Sequence, residues 1–364
     1  MQKGGSSSQP MDGRRVTMTD VARSAGVSLG TVSRVVNQRP GVDQQLKERV
    51  VHSIAELGYR PNARARTFAQ KSSVLISFIL SNRDFLHAVH SRILEGVEEF
   101  CEEAGYMVVF SRFNYSVDTP VADLLLPRVL RAHGVADSLI LAGTNFDNFV
   151  EAVEKIGAPY VLFANNFISK HQRPPVDQVR LDDFAGAYEA TRYLIQLGHR
   201  DIWYIGDIAL PWYRVRHDAF VRAMDERGLT PRAQTMALSD NTFANGFASA
   251  QWILDQGSPV SAIFAGSDDI AFGVLDLAWR RGVNVPRDLS VIGVGDVPES
   301  SFKIPPLTSV GIDFIETGRE LARLAILKAK SPEERYPEVV IPASLVKRGT
   351  TQPRAADAAA TALA

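Results

Sequence analysis

A single cysteine, Cys101, stands in 364 residues. An intramolecular disulfide is thereby excluded, as is a cysteine cluster for zinc or iron–sulfur. Cys101 itself reads as a small buried apolar residue on a helix. Excess charge of either sign is lacking too: 40 basic side chains meet 41 acidic ones, for a net charge of −1. Long apolar runs are missing. Val74 to Leu80, broken by Ser77, is the longest and is far too short to cross a bilayer, so no membrane partner is expected. The opening MQKGGSSSQPMDG has no apolar core of a secretory leader, which points to a cytoplasmic location. No HExxH or P-loop pattern occurs, and no acid pair is anchored by a motif. No catalytic residue, cofactor or metal site is therefore expected.

What is present begins with a charge asymmetry. Between residues 12 and 71 eleven basic side chains face five acidic ones, a local net charge of +6 on a chain that is otherwise neutral to acidic. A basic head of this kind suits a polyanion at one end of the molecule. Within it, TMTDVARSAGVSLGTVSRVVN opens with Thr17 and Asp20 spaced as a capping box. Val21, Ala22 and Ala25 mark one helical face, and Gly26 closes the helix. Ser28 then starts a second helix whose buried side is Val32, Val35 and Val36. Two short helices joined by a glycine turn read as a helix-turn-helix, with Leu29 to Asn37 as the recognition helix. Asp43 caps a third helix with the stripe Leu46, Val50, Ile54 and Leu57, and Gly58 ends it.

VTMTDVARSAGVSLGTVSRVVN, followed by ELGYRPNARAR, resembles the N-terminus of the lactose-repressor (LacI/GalR) family of bacterial transcription regulators. The resemblance implies that Leu29, Gly30 and Arg34 approach base edges, with Arg34 the one that can fork onto a guanine. Thr31, Ser33 and Asn37 are placed for phosphates. Thr17 and Ser28 at the helix starts, and Tyr59 and Asn62 at the junction, join this set. Residues 61–72 match the family's hinge helix, which enters the minor groove and wedges a leucine into the operator centre. Here Arg64 and Arg66 flank Phe68 at the wedge position, an aromatic in place of leucine. A plain basic linker is the alternative for this stretch.

From Ser73 onward strands alternate with helices, the pattern of parallel sheets. VLISFIL, YMVVF, SLILAG and YVLFA read as one series of strands, with helices around 90–104, 121–132 and 147–156. QVRL, DIWYIG, SAIFAG and LSVIGV form a second, with helices near 184–197, 213–227, 244–256 and 268–281. Two doubly wound parallel-sheet halves in tandem resemble periplasmic-binding proteins, which hold a small ligand where the strands' carboxyl ends meet. The expected fold is an all-α helix-turn-helix headpiece plus an α/β effector domain of two doubly wound subdomains. A tail covers 1–14, the headpiece 15–60, the hinge 61–72, the effector domain 73–350 and a second tail 351–364. One subdomain takes about 73–177 and 308–331, and the other about 178–305 and 335–350.

In the cleft, RHDAF keeps the family's arginine as Arg216, a side chain that forks onto sugar hydroxyls in the family or else sits in an interdomain ion pair. GSDDIAFG keeps Asp268. Two acids usual in the family are replaced by Ala164 and Gly295, with Asn165, Asn166 and Asp296 beside them. Trp212 and Tyr213 offer aromatic platforms, unless they plug the core. NRDFLHAVH adds Phe85 and His87. The reading is a ligand-responsive transcription regulator, most simply a repressor, acting as a homodimer on a near-palindromic operator. Its effector is expected to be carbohydrate-derived, with a carboxylated compound favoured over a neutral hexose because of Arg216. A stand-alone binding protein of periplasmic type and an enzyme using the same cleft are the rival readings. The basic head weighs against the first and the missing catalytic motifs against the second.

Overall fold

The computed structural model describes residues 16–36, 40–59, 74–83, 88–131, 134–171, 176–235 and 242–354. Contacts divide the chain into two units that part between Ser72 and Ser73.

In the first unit, α1 (Met18–Ala25), α2 (Leu29–Val36) and α3 (Gln44–Leu57) fold around Val21, Ala22, Ala25, Val32, Val50 and Tyr59. The reciprocal capping box forms: the Thr17 amide donates to Asp20 Oδ2 at 2.9 Å, and the Asp20 amide donates to Thr17 Oγ1 at 3.3 Å. Gly26 and Gly58 take left-handed φ values of 62° and 61°, a conformation costly for any residue with a Cβ. Asp43 accepts from the Gln45 and Leu46 amides at the start of α3.

The second unit holds two six-stranded sheets, parallel throughout except for the antiparallel edge strand of the second. The first has the order β13-β7-β5-β3-β1-β2 and the second β14-β12-β11-β10-β8-β9. In chain order the first half runs β1 (Leu75–Ser81), α4 (Ala88–Glu103), β2 (Met107–Phe113), α5 (Arg128–Arg131), β3 (Ser138–Gly143), β4 (Asn145–Phe146), α6 (Asp147–Lys155), β5 (Tyr160–Phe163), β6 (Phe167–Ile168) and β7 (Gln178–Leu181). It continues with α7 (Asp183–Gln196), β8 (Ile202–Ile205), α8 (Pro211–Asp225), β9 (Arg232–Gln234), α9 (Thr242–Asp255), β10 (Ala262–Ala265), α10 (Asp268–Arg280), β11 (Ser290–Gly295) and α11 (Pro298–Phe302). Last come β12 (Thr308–Ile312), α12 (Phe314–Lys330), β13 (Val339–Ile341) and β14 (Ala343–Val346). The sheets obey the two-residue period of a strand covered on both faces. Ile202 and Tyr204 meet Ala190, Leu194 and Phe220 of α7 and α8, whereas Trp203 and Ile205 meet Ile253 and Ile270 of α9 and α10.

Five expectations change. QVRL, placed in the second series, is β7 and pairs with β5 in the first sheet. The 308–312 strand, assigned to the first half, pairs with β11 in the second, and β13, within the 335–350 stretch, pairs with β7 in the first. The chain therefore crosses between lobes at Asp182, Asp313 and Pro342. Hydrophobic pattern cannot distinguish these placements, because the apolar positions of a strand show that it is packed and not which sheet it joins. The helix expected over 121–132 is broken: Pro127 has no amide to donate, and only a 3-10 turn at Val121–Asp123 and the short α5 remain. The first residues of the expected C-terminal tail are fastened to the second lobe, the Arg354 amide donating to the Leu197 carbonyl at 2.8 Å.

Within each lobe two helices touch backbone to backbone. A Cβ on Gly96 of α4 would lie 2.0 Å from the Ile315 carbonyl oxygen, and one on Gly318 of α12 would lie 2.0 Å from that of Ile93. In the other lobe, α9 and α10 meet the same way through Gly246 and Gly273, at 2.1 and 2.2 Å.

Candidate functional site

Two regions carry the candidate residues, and each lies within its own unit. On the headpiece, Ser28 Oγ accepts the Thr31 amide at 3.1 Å and caps α2. Below the cap the helix buries Val32 completely and turns Leu29, Gly30 and Arg34 outward, with Leu29 51% exposed. An apolar side chain exposed at a helix N-terminus beside a glycine leaves room for close approach of another surface. Thr31 and Ser33 are half-buried and Thr17 is exposed. Tyr59 differs from its expected role: its ring belongs to the three-helix core, which desolvates the phenol and raises its pKa. Asn37, Asn62, Arg64, Arg66 and Phe68 lie outside the described residues.

The second region is the cleft where β1, β3 and β5 of one lobe end opposite β8, β10 and β11 of the other. Arg216, 9% exposed, is fully engaged there. Its Nε and Nη2 reach Asp183 Oδ1 at 2.8 and 2.7 Å, and Nη1 donates to the Gly266 carbonyl at 2.6 Å. Burial alone would lower the guanidinium's pKa, but the adjacent Asp183 carboxylate more than offsets this and holds it above its ordinary value. Asn165 completes the network: its Nδ2 donates to Asp183 Oδ2 at 2.7 Å, and its Oδ1 accepts the Leu181 amide at 2.7 Å. Arg216 is in an ion pair, but the pair lies within the second lobe, between α7 and α8, and not between the lobes as expected; Asn165 is a brace rather than a displayed ligand group.

Asp268 is likewise committed. Only 2% exposed, it accepts from Ser309 Oγ at 2.6 Å, Ser300 Oγ at 2.9 Å and the Val297 amide at 2.9 Å. It fixes the turn after β11 instead of facing a ligand. Burial pushes its carboxyl up to about 6, against the lowering effect of those donors. Between the unfolded value near 3.8 and about 6 the folded state holds the proton more tightly, so this group's contribution to stability falls as pH rises through that window. Asp268→Asn, which cannot titrate, should therefore gain on the wild type by up to about 3 kcal/mol between pH 4 and pH 7. Urea unfolding of both proteins at the two pH values measures the gap; a gap independent of pH would refute the assignment.

Asp296 has a φ of 51°, a left-handed position for a residue with a side chain. Two bonds hold it there: its amide donates to Ser309 Oγ at 3.1 Å, and Arg348 Nη1 donates to its Oδ1 at 2.6 Å. It lines a cavity of about 480 Å³ with Val297, Ile312, Phe314, Pro342 and Arg92. Trp212 and Tyr213 are buried at the start of α8. Asn166 is half-buried in the 3-10 turn after β5. Phe85 and His87 lie outside the described residues. The cleft thus brings together Asn165, Arg216, Trp212, Tyr213, Asp268 and Asp296, and adds Asp183, Ser309 and Arg348, which the sequence reading missed. The Asp182–Asp183 doublet before a helix was the available sign for the first; a lone serine within a strand offers none. Among the described residues no group of three or more His, Cys, Asp or Glu could hold a metal ion, and no helix is long and apolar enough to cross a membrane.

Comparison with known proteins now has a geometry to meet. Residues 17–62 match the family described as bacterial regulatory proteins, lacI family, and residues 191–351 match a periplasmic binding protein-like domain. Catabolite control protein A of Priestia megaterium is 32% identical over 311 residues, spanning 85% of this chain and 91% of that one. The chain belongs to the lacI family. Among solved structures of this fold, the Lac repressor dimer bound to operator and the anti-inducer ONPF gives a TM-score of 0.73 at 28% identity, covering 93% of this chain and all of that one. The complex of the transcriptional regulator CelR with cellobiose gives 0.67 at 26% identity over 92% of this chain and all of that one. These lacI-family relatives are regulators, and none of those named is an enzyme.

Proposed function

We propose that the protein is a transcription repressor of the lacI family. It binds a near-palindromic operator as a homodimer in the cytoplasm and is controlled by a small molecule in the cleft. The observation that carries the DNA role is α2, capped by Ser28, with Leu29, Gly30 and Arg34 outward on a headpiece of net positive charge. Operator selection from a random pool by the full-length protein tests it. Affinity should fall steeply with salt as phosphate contacts release counterions, and no selected sequence would refute the reading. Within the selected operator, Arg34→Ala should cost about 1–3 kcal/mol and relax preference at one base pair per half-site. A uniform loss over all sequences would make Arg34 a phosphate contact.

A second copy fits the exposed apolar face of the second lobe. Phe302 and Ile304 are 79% and 99% exposed. They flank Lys303, whose Nζ lies 4.3 Å from the Phe272 ring centre on α10. Trp279, on the same side of α10 two turns on, is also exposed. The effector class is a neutral carbohydrate. A carboxylated compound would need a free Arg216 fork, and Asp183 already neutralises that side chain. A relative bound to cellobiose supports the same class.

A further inference from the structure

Arg83 follows β1 in the first lobe, and Trp212 opens α8 in the second. The Arg83 guanidinium carbon lies 4.6 Å from the centre of the Trp212 ring, within reach of a cation–π contact. Arg83 is aimed by its own lobe, since its Nε donates to Thr144 Oγ1 at 2.8 Å. The Thr144 amide in turn donates to the Ser81 carbonyl at 2.7 Å. Trp212 is 8% exposed and is fixed at the first turn of α8.

Position in the sheets gives this pair its leverage. The chain crosses between lobes beside β7 and β13 in one sheet and beside β12 and β14 in the other. From β7, β1 is three strands away; from β12, β8 is also three strands away. The strands that lead to Arg83 and Trp212 therefore lie about 14 Å from the crossover strands, toward the far edge of each sheet. The Asn165–Asp183–Arg216 network starts directly after the first crossover. A contact far from a hinge opposes its opening most strongly.

We propose that Arg83 and Trp212 form the closing contact of the cleft, a cation–π pair that holds the two lobes together without a ligand. The inference rests on the reading of this cleft as the effector site. An effector that lays a flat C–H face on the indole takes the place of the guanidinium.

The test uses the full chain with Asp118→Cys and Asp225→Cys, exposed positions on the two lobes. Spin labels at both report the distance between lobes; Cys101 is fully buried and stays unlabelled. Without ligand, one short distance is expected when Arg83 is present. Arg83→Leu should lower the closed-to-open ratio about tenfold and add a longer distance. Trp212→Leu should do the same, and the double substitution no more than either alone. Arg83→Lys, which keeps the cation but not the flat guanidinium, should recover part of the short population. An unchanged distribution in Arg83→Leu, or opening in only one of the two single variants, overturns the proposal. No DNA enters the measurement, so a failure of the operator reading would show separately.

Discussion

Asp183→Ala is expected to cost about 3–5 kcal/mol of stability, because it leaves the Arg216 guanidinium buried without its carboxylate. Asn165 keeps the Leu181 carbonyl but loses its shorter acceptor at the same time, so the link from the end of β5 to α7 goes with the ion pair. Asp183→Leu combined with Arg216→Met should restore most of the loss, since an apolar pair of similar volume incurs no desolvation cost for two charges. Urea unfolding of the three proteins decides it; a loss below about 1 kcal/mol for Asp183→Ala would show the pair to be well hydrated. The same variant alters selectivity. With Asp183 present, cellobiose should raise the thermal midpoint more than gluconate does. With Asp183 replaced, the freed guanidinium should favour gluconate, because a charge-assisted fork to a carboxylate is stronger than bonds to hydroxyls.

Gly318→Val should destabilise the first lobe by about 3 kcal/mol or more, the upper end of overpacking costs. Its Cβ would fall 2.0 Å from the Ile93 carbonyl oxygen, and a backbone atom inside a helix cannot turn aside as a side-chain tip can. The two helices would have to part along their length. Leu321, Leu324 and Ala325 would then lose contact with the core they share with Ile93 and Val97. Gly246→Val should have a similar effect in the second lobe. A urea-unfolding loss under about 1 kcal/mol for Gly318→Val would show that α4 and α12 have slack at this crossing.

These two cases mark where sequence was and was not informative. The headpiece was legible because its determinants are local: Thr17 with Asp20, then Gly26, Asp43 and Gly58, each acting within a few residues. Alternating strands and helices were legible from their periods. Sheet membership was not, because β7 and β12 differ from their neighbours only in a partner far along the chain. Arg216 stood out within a motif. Its partner Asp183 lies 33 residues earlier, at a helix start, where an acid is ordinarily read as a response to the helix dipole. Asp268 stood out for the same reason as Arg216, and its commitment to Ser300 and Ser309 could not be seen, since serine hydroxyls carry no signature. Gly96, Gly246, Gly273 and Gly318 sit in helices where glycine reads as a weakness; their reason is the backbone of another helix.

The three crossings of the chain also set an order for its synthesis. The headpiece precedes the body along the chain and has a core made from its own segment, so it can fold while the ribosome is still translating the body. The first sheet, begun at Leu75, lacks α12 until Lys330 has emerged and lacks β13 until Ile341. The second sheet remains open at one edge until Val346, so neither lobe is complete before the stretch from Lys330 to Val346 has emerged. A nascent chain therefore carries a folded DNA-binding head before it has a cleft able to govern it.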